Sequence, residues 1–382
     1  MQLIIKNAII PQFNCLFIKG HILIEHGIIK QIFYNENISK CDHIEVIEAE
    51  GSIISSGFID THNHGGNGYG YNCNRNELNN IEHRLFSLGV TSVLATWESS
   101  TLDETLGFIK KISNIKREKN NIEILGIHLE GPYFNKTKKG MHQERFIRKA
   151  SKKEVSLILK ESGGIIKVWS LAPEIEENMN VINMMVKNGI SVAIAHTEAD
   201  YDIAMKAFSL GANRVTHAFN AMPALNQRYH GIITAAWQCG AFMELIADYY
   251  HISPTVMKMF ISASDKSKIL LVSDNNECSG LPEGSYNVQD RRLLVANGRL
   301  ELESGILAGS IIGLNQSAAN VMNCGFSAWE ALKMASENPA RAIGVFDRKG
   351  SIATGKDADL VILDGQLNVK MTIKAGHIVY KS

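Results

Sequence analysis

The stretch GFIDTHNHGG, residues 57–66, ends an apolar run with His62 and His64 two positions apart, just before a pair of glycines. Side chains two apart on a strand share a face, so both imidazoles can look inward over Asp60, a carboxylate placed to hold a ring nitrogen. Neutral imidazole and carboxylate are ligands for zinc, iron and similar divalent ions. The same residue types end other short apolar runs: His128 and Glu130 in IEILGIHLE, His196 in ISVAIAHTE, His217 in NRVTHAFN, Asp248 in FMELIAD and Asp274 in KILLVSD. Glu130, His196 and His217 would form a three-ligand site with one position open to water. His62 and His64 would add a second site, with Glu130 placed to bridge. One histidine at a strand end is ordinarily a hydrogen-bonded structural residue. Four such ends joined by a glutamate point to metal instead. Asp274 is placed to take a proton from an attacking water and return it to a leaving group; the plainer alternative is a cap on the following loop.

Elements must bring these residues together. Eight apolar runs, from GFIDTH to KILLVSD, alternate with amphipathic stretches such as RNELNNIEHRLFSLG and DYDIAMKAFSLGA, which carry apolar residues at spacings of three and four. Eight strand–helix repeats predict an α/β fold, a (β/α)8 TIM-like barrel over residues 55–344, whose chemistry sits where the strands end. Residues 1–54 and 345–382 read as short isoleucine-rich strands punctuated by glycine, too few at either end to bury a face alone. They predict a small β-sandwich domain built from both chain ends.

The 382 residues carry 39 Lys plus Arg and 39 Asp plus Glu, with no long block of one sign. Nucleic acid and acidic membrane surfaces are therefore not expected partners. Six scattered cysteines without a C-x-x-C pair, and a start without a basic leader, predict reduced thiols in the cytoplasm.

Taken together, HLEGP, AHTEA, TH-x-x-NAM and IAD-x-x-H, with GFIDTHNHG, KKGMHQERF, LAGS and ASENPARAIG, resemble the metal-dependent amidohydrolase superfamily, and more narrowly its N-acetylglucosamine-6-phosphate deacetylases. The resemblance implies hydrolysis of the acetamide of N-acetylglucosamine 6-phosphate. By position it implies that Glu130, His196 and His217 bind the principal metal, that His62 and His64 serve a second, and that Asp274 is acid and base. It also implies that His142, the backbone at Asn220 and Ala221, Arg228 and His251 hold the sugar phosphate, with Leu307 and Ala308 of LAGS closing over it. It further implies a homodimer in which arginine and histidine reach a neighbour's phosphate pocket. Read alone, Arg228 suits either a phosphate or a solvated loop. The ligand set suits zinc, iron, manganese or cobalt, one or two ions per subunit.

Relatives of the hydantoinase kind resemble this pattern but carry a lysine at the end of strand 4; here WSLAPE has none. Three segments depart from the deacetylase pattern. GGNGYGYNCN lacks the usual acidic residue, NNECSGLPEG is polar and carries Glu277 where small residues are usual, and RYHG replaces a Pro-Gly ending. All three shape loops, so another N-acyl amino-sugar phosphate, such as N-acetylgalactosamine 6-phosphate, stays open as substrate. An N-acyl-D-amino acid or an amidine would keep the metal and drop the phosphate; a barrel that has lost catalysis would show gaps in the ligand set, and none is present.

Overall fold

A computed structural model describes residues 2–11, 17–34, 44–115 and 118–382; Cys15 and Cys41 lie outside them. Eight strands run parallel in chain order: β1 (Phe58–Asn63), β2 (Val90–Trp97), β3 (Glu123–Glu130), β4 (Ile166–Leu171), β5 (Ser191–Ile194), β6 (Arg214–Val215), β7 (Phe242–Leu245) and β8 (Ile269–Leu271). Each pairs with the next. The last seam, between β8 and β1, is closed just above the strands, where Asp274 N donates to His62 O at 2.9 Å and His64 N to Asn275 O at 2.7 Å. The barrel expected from the eightfold pattern is present and nearly closed, with the first and last functional segments side by side.

The helices follow their strands: α1 (Arg75–Ser87), α2 (Leu102–Ser113), α3 (Lys152–Ser162), a broken pair α4 (Glu176–Met179) and α5 (Ile182–Lys187), α6 (Tyr201–Ser209), α7 (Ile232–Cys239), α8 (Pro254–Ala263) and α9 (Leu314–Asn323). Their starts are written in the sequence. Asn74 with Glu77 and Thr101 with Glu104 form reciprocal capping boxes, while Ser253 caps α8 with Pro254 at its first position. Buried Leu78, Ile81 and Leu85 recur along α1 at the period that faces it to the strands.

Strands from both chain ends form a separate eight-stranded mixed sheet. Ile53–Ser56 pairs antiparallel with Leu360–Leu363, which joins the two ends. The long strand Gln2–Pro11 pairs antiparallel with Phe17–Glu25 along one edge and serves two neighbours on the other, Glu45–Glu48 through Leu3–Lys6 and Ile53 through Ile9. An irregularity between Ile5 and Ala8, with Asn7 at φ 58°, separates the two pairings. Val361, Leu363 and Leu367 join the barrel's core cluster, so the sheet buries apolar surface against the barrel.

A third sheet was not anticipated. Gly284–Val288, Arg291–Ala296 and Arg299–Leu302 form an antiparallel meander between β8 and α9. Its signal was available: Asn297 and Gly298, at φ 52° and 75°, make the Asn-Gly turn that matches strand twist.

Candidate metal centre

At the carboxyl ends of the strands the expected groups converge. His196 Nε2 and His217 Nε2 lie 3.5 and 3.3 Å from Glu130 Oε1 and 3.0 Å from each other. His62 Nε2 is 3.3 Å from Glu130 Oε1, and His64 Nε2 is 3.4 Å from Glu130 Oε2. Asp274 Oδ1 stands 3.2 and 3.4 Å from the same two imidazole nitrogens. His196, His217 and Asp274 have left-handed backbones, φ 44°, 28° and 49°, where the chain turns out of its strand. Such conformations are costly away from glycine and persist where surrounding structure holds them.

The far ring nitrogens decide which atom faces the centre. His196 Nδ1 donates to Lys138 O at 2.7 Å, and Gly140 keeps that loop close, since a Cβ there would stand 3.1 Å from the ring. His62 Nδ1 meets Glu244 Oε2 at 2.9 Å. Glu244, wholly buried on β7, also accepts from His217 N at 3.3 Å and from Arg214 Nη1 at 3.2 Å. His217 Nδ1, by contrast, is buried without a hydrogen-bond partner among the described residues. Glu244 and Arg214 were not singled out in the sequence; the signal was two charges of opposite sign inside short strand runs.

Asp60 corrects an expectation. It does not hold a ring nitrogen: its carboxylate accepts from Ser273 Oγ at 2.5 Å, Ser273 N at 3.2 Å and His62 N at 3.3 Å, clasping β1 to the end of β8. The ladder between β1 and β2 is irregular between Asp60 and Asn63, which breaks the strict alternation the sequence argument assumed. His128, also at a strand end, is structural. Its ring lies between Thr61 O and Ser170 Oγ at 3.3 and 2.7 Å, and burial lowers its pKa to about 3.

Electrostatics favours cation binding. Burial alone would raise Glu130 and Asp274; the neighbouring imidazoles, His62 foremost, hold Glu130 well below the carboxylate range and bring Asp274 to about 2. Burial likewise opposes charge on His62 and His64, yet the carboxylates raise His62 well above the imidazole range and His64 to about 9. Protons on these rings thus balance the carboxylates, and a divalent cation can replace them, since neutral imidazole and carboxylate are the ligating forms. His196, lowered to about 4 by burial, is already neutral. These clustered histidine and glutamate donors can coordinate one or two divalent ions.

A cavity of about 350 Å³ opens over the centre, lined among others by His142, Asn220, Ala221, His251, Leu307 and Ala308. His142, expected at the sugar phosphate, is buried with Nε2 3.4 Å from Glu130 Oε2, close enough to share the centre's donor set. His251 is fixed by Asp248, which accepts from its Nδ1 at 2.7 Å and leaves Nε2 for the cavity. Arg228 stands apart, exposed in a surface loop outside the cavity.

Residues 53–379 match the Amidohydrolase family. The N-acetylglucosamine-6-phosphate deacetylase of Bacillus subtilis (strain 168) is 33% identical over 392 residues, spanning 100% of this chain and 98% of that protein. The N-acetylgalactosamine-6-phosphate deacetylase of Escherichia coli O157:H7 is 30% identical over 331 residues, spanning 86% and 88%. The crystal structure of the N-acetylglucosamine-6-phosphate deacetylase of Thermotoga maritima superposes with a TM-score of 0.86 at 33% identity, covering 100% of both chains. With its barrel, its terminal sheet and its ring of imidazoles about one glutamate, the chain belongs to the amidohydrolase family as a close relative of the N-acetylglucosamine-6-phosphate deacetylases.

Proposed function

We propose that this enzyme hydrolyses the acetamide of N-acetylglucosamine 6-phosphate, releasing acetate and glucosamine 6-phosphate. The observation that carries the reading is the convergence of five imidazole or carboxylate donors and Asp274 on one centre beneath the cavity, in a chain related over its whole length to such deacetylases. Glu130, His196 and His217 would hold the principal ion, with His62 and His64 serving a second beside it. A divalent ion there, zinc, iron, manganese or cobalt, supplies Lewis acidity toward a carbonyl and makes water acidic enough to attack near neutral pH. Asp274, whose Oδ1 stands 3.2 and 3.4 Å from the His62 and His64 nitrogens, would receive the proton of an attacking water on a carboxylate oxygen and pass it to the departing amine.

His251 and the main chain of Asn220 and Ala221 offer donors to the sugar phosphate, under Leu307 and Ala308. Arg228 lies outside its own cavity, so its expected phosphate contact requires the cavity of a second copy; we propose a homodimer on this ground. Among the described residues no helix is long and apolar enough to cross a membrane. The described cysteines, Cys73, Cys239, Cys278 and Cys324, are free, which supports the cytoplasmic placement.

The relative of Escherichia coli O157:H7 favours a second reading, N-acetylgalactosamine 6-phosphate as substrate. Deacetylation assays on both 6-phosphates and on unphosphorylated N-acetylglucosamine, after stripping and restoring each metal, separate the readings. A preference for the glucosamine compound with strong phosphate dependence is expected. Equal turnover without phosphate would reject the proposal.

A further inference from the structure

One corner of the cavity is unused by this mechanism. Glu277, in the loop after β8, lines it beside Gly70, Asn72 and Glu98. The two carboxylates differ in their partners. Glu98 is gripped through both oxygens by Arg291, at 2.7 and 2.6 Å, whereas the Glu277 carboxylate forms no salt bridge among the described residues and is met by its own main-chain amide, with His64 and Arg291 attracting it only at longer range. Burial, and then the neighbouring Glu98, raise its pKa, as expected of a carboxylate short of donors.

Its position is built. Gly68 N donates to Glu277 O at 2.7 Å and Asn67 N to Ser279 O at 2.8 Å, so the glycine-rich loop after β1 is tied to the loop after β8. Gly70 makes the room: a Cβ there would stand 2.9 Å from Glu277 Oε1 and 3.5 Å from its Cδ. Two loops that depart from the deacetylase pattern, one without the usual acidic residue and one with an added glutamate, thus meet at this carboxylate.

We propose that Glu277 is a specificity-determining residue that accepts a hydrogen bond from a ring hydroxyl of the substrate, a polyhydroxylated amino-sugar phosphate; this rests on the deacetylase reading above. A carboxylate oxygen accepts a hydrogen bond from a hydroxyl. The acetyl methyl offers it nothing, and a phosphate beside it would be repelled. The phosphate therefore belongs with His251 and the main chain of Asn220 and Ala221, on the loops after β7 and β6. A sugar hydroxyl is the donor left to meet Glu277. By the same charge argument, substrates with a further anionic group at this corner are rejected.

The test is a coupling measurement on N-acetylglucosamine 6-phosphate and its 1-, 3- and 4-deoxy analogues, with metal content assayed in parallel. Glu277→Ala should lower kcat/KM on the parent substrate about 10- to 100-fold, chiefly through KM, with metal content unchanged. Gly70→Ala should do the same by displacing the carboxylate, because only side-chain atoms stand near its Cβ. One deoxy analogue should cost the wild type a similar factor and cost neither variant anything further. An unchanged KM in Glu277→Ala, or losses that simply add for every analogue, would overturn the assignment. Failure of the wild type to cleave the parent compound at all would instead refute the deacetylase reading.

Discussion

Asp274→Asn should keep metal and lose turnover by about 100- to 10,000-fold, because an amide cannot carry the proton from water to amine. Steady-state kinetics with metal analysis of the same sample checks it, and retained activity would remove Asp274 from the mechanism. Glu244→Gln reaches the centre from behind. The substitution weakens the acceptor of His62 Nδ1 and leaves Arg214 a buried, uncompensated charge. Metal affinity should fall about 10- to 100-fold, and stability by about 3–5 kcal/mol. Metal titration and denaturant unfolding read the two effects separately. At this scale the identities of the converging groups were legible, because imidazole and carboxylate at strand ends announce themselves. Their partners were not: Asp60 and Glu244 exchanged the role expected of the former, since a ladder irregularity and a contact between β1 and β7 leave no local trace.

At the scale of elements, the loops and sheets hold the centre through main-chain contacts. Gly309, at φ 85°, lies so close to the end of β8 that a Cβ would stand 2.3 Å from Asp274 O, which also accepts from Ser310 N at 2.9 Å. Gly309→Ala should therefore displace the 307–310 segment and depress kcat/KM while the far-ultraviolet circular dichroism stays that of the wild type. Where the terminal sheet meets the lower end of β3, a charge cluster fastens the two. Lys374 Nζ lies 2.8 Å from Asp359 and 3.2 Å from Glu123, Lys349 Nζ lies 2.9 Å from Glu123, and Lys349 also pairs with Asp359. Burial would raise both carboxyls, but Arg348 and the two lysines depress Glu123, and Lys374 and Lys349 depress Asp359. A depressed folded pKa means stability that is complete above the unfolded carboxylate value of about 4 and lost as pH falls toward the folded one. Unfolding measured from pH 6 to pH 2 should show the wild type's advantage over Asp359→Asn shrinking with acid. A constant gap would mean that Asp359 does not titrate in this window. Capped helices and alternating strands could be read directly; the meander at 284–302 is less legible, because its short strands alternate apolar residues with charged ones such as Arg291, Arg292 and Arg299 and only the Asn-Gly turn marks the hairpin.

Over the whole molecule, the metal should count as part of the folded state. Stripping it with a chelator should lower the melting temperature, and adding back one divalent ion should restore it, since a ligand bound only by the native chain stabilises that chain. Identical melting with and without metal would argue against the centre. The proposed homodimer has its own check: Arg228→Ala and Asp274→Asn, each inactive alone, should regain activity when their subunits are mixed, provided Arg228 serves its neighbour's cavity. The sequence by itself determined the barrel, the sheet of joined chain ends and the set of groups able to bind a cation, because these depend on periodicity, capping and residue type, which are local. Only the tertiary structure decided that Asp274 stands beside His62 and His64, that Glu244 rather than Asp60 steadies a ring, and that Arg228 faces away. Those relations arise where β8 closes on β1 and where strands distant in the chain share the barrel axis, and no short window of sequence records such proximity.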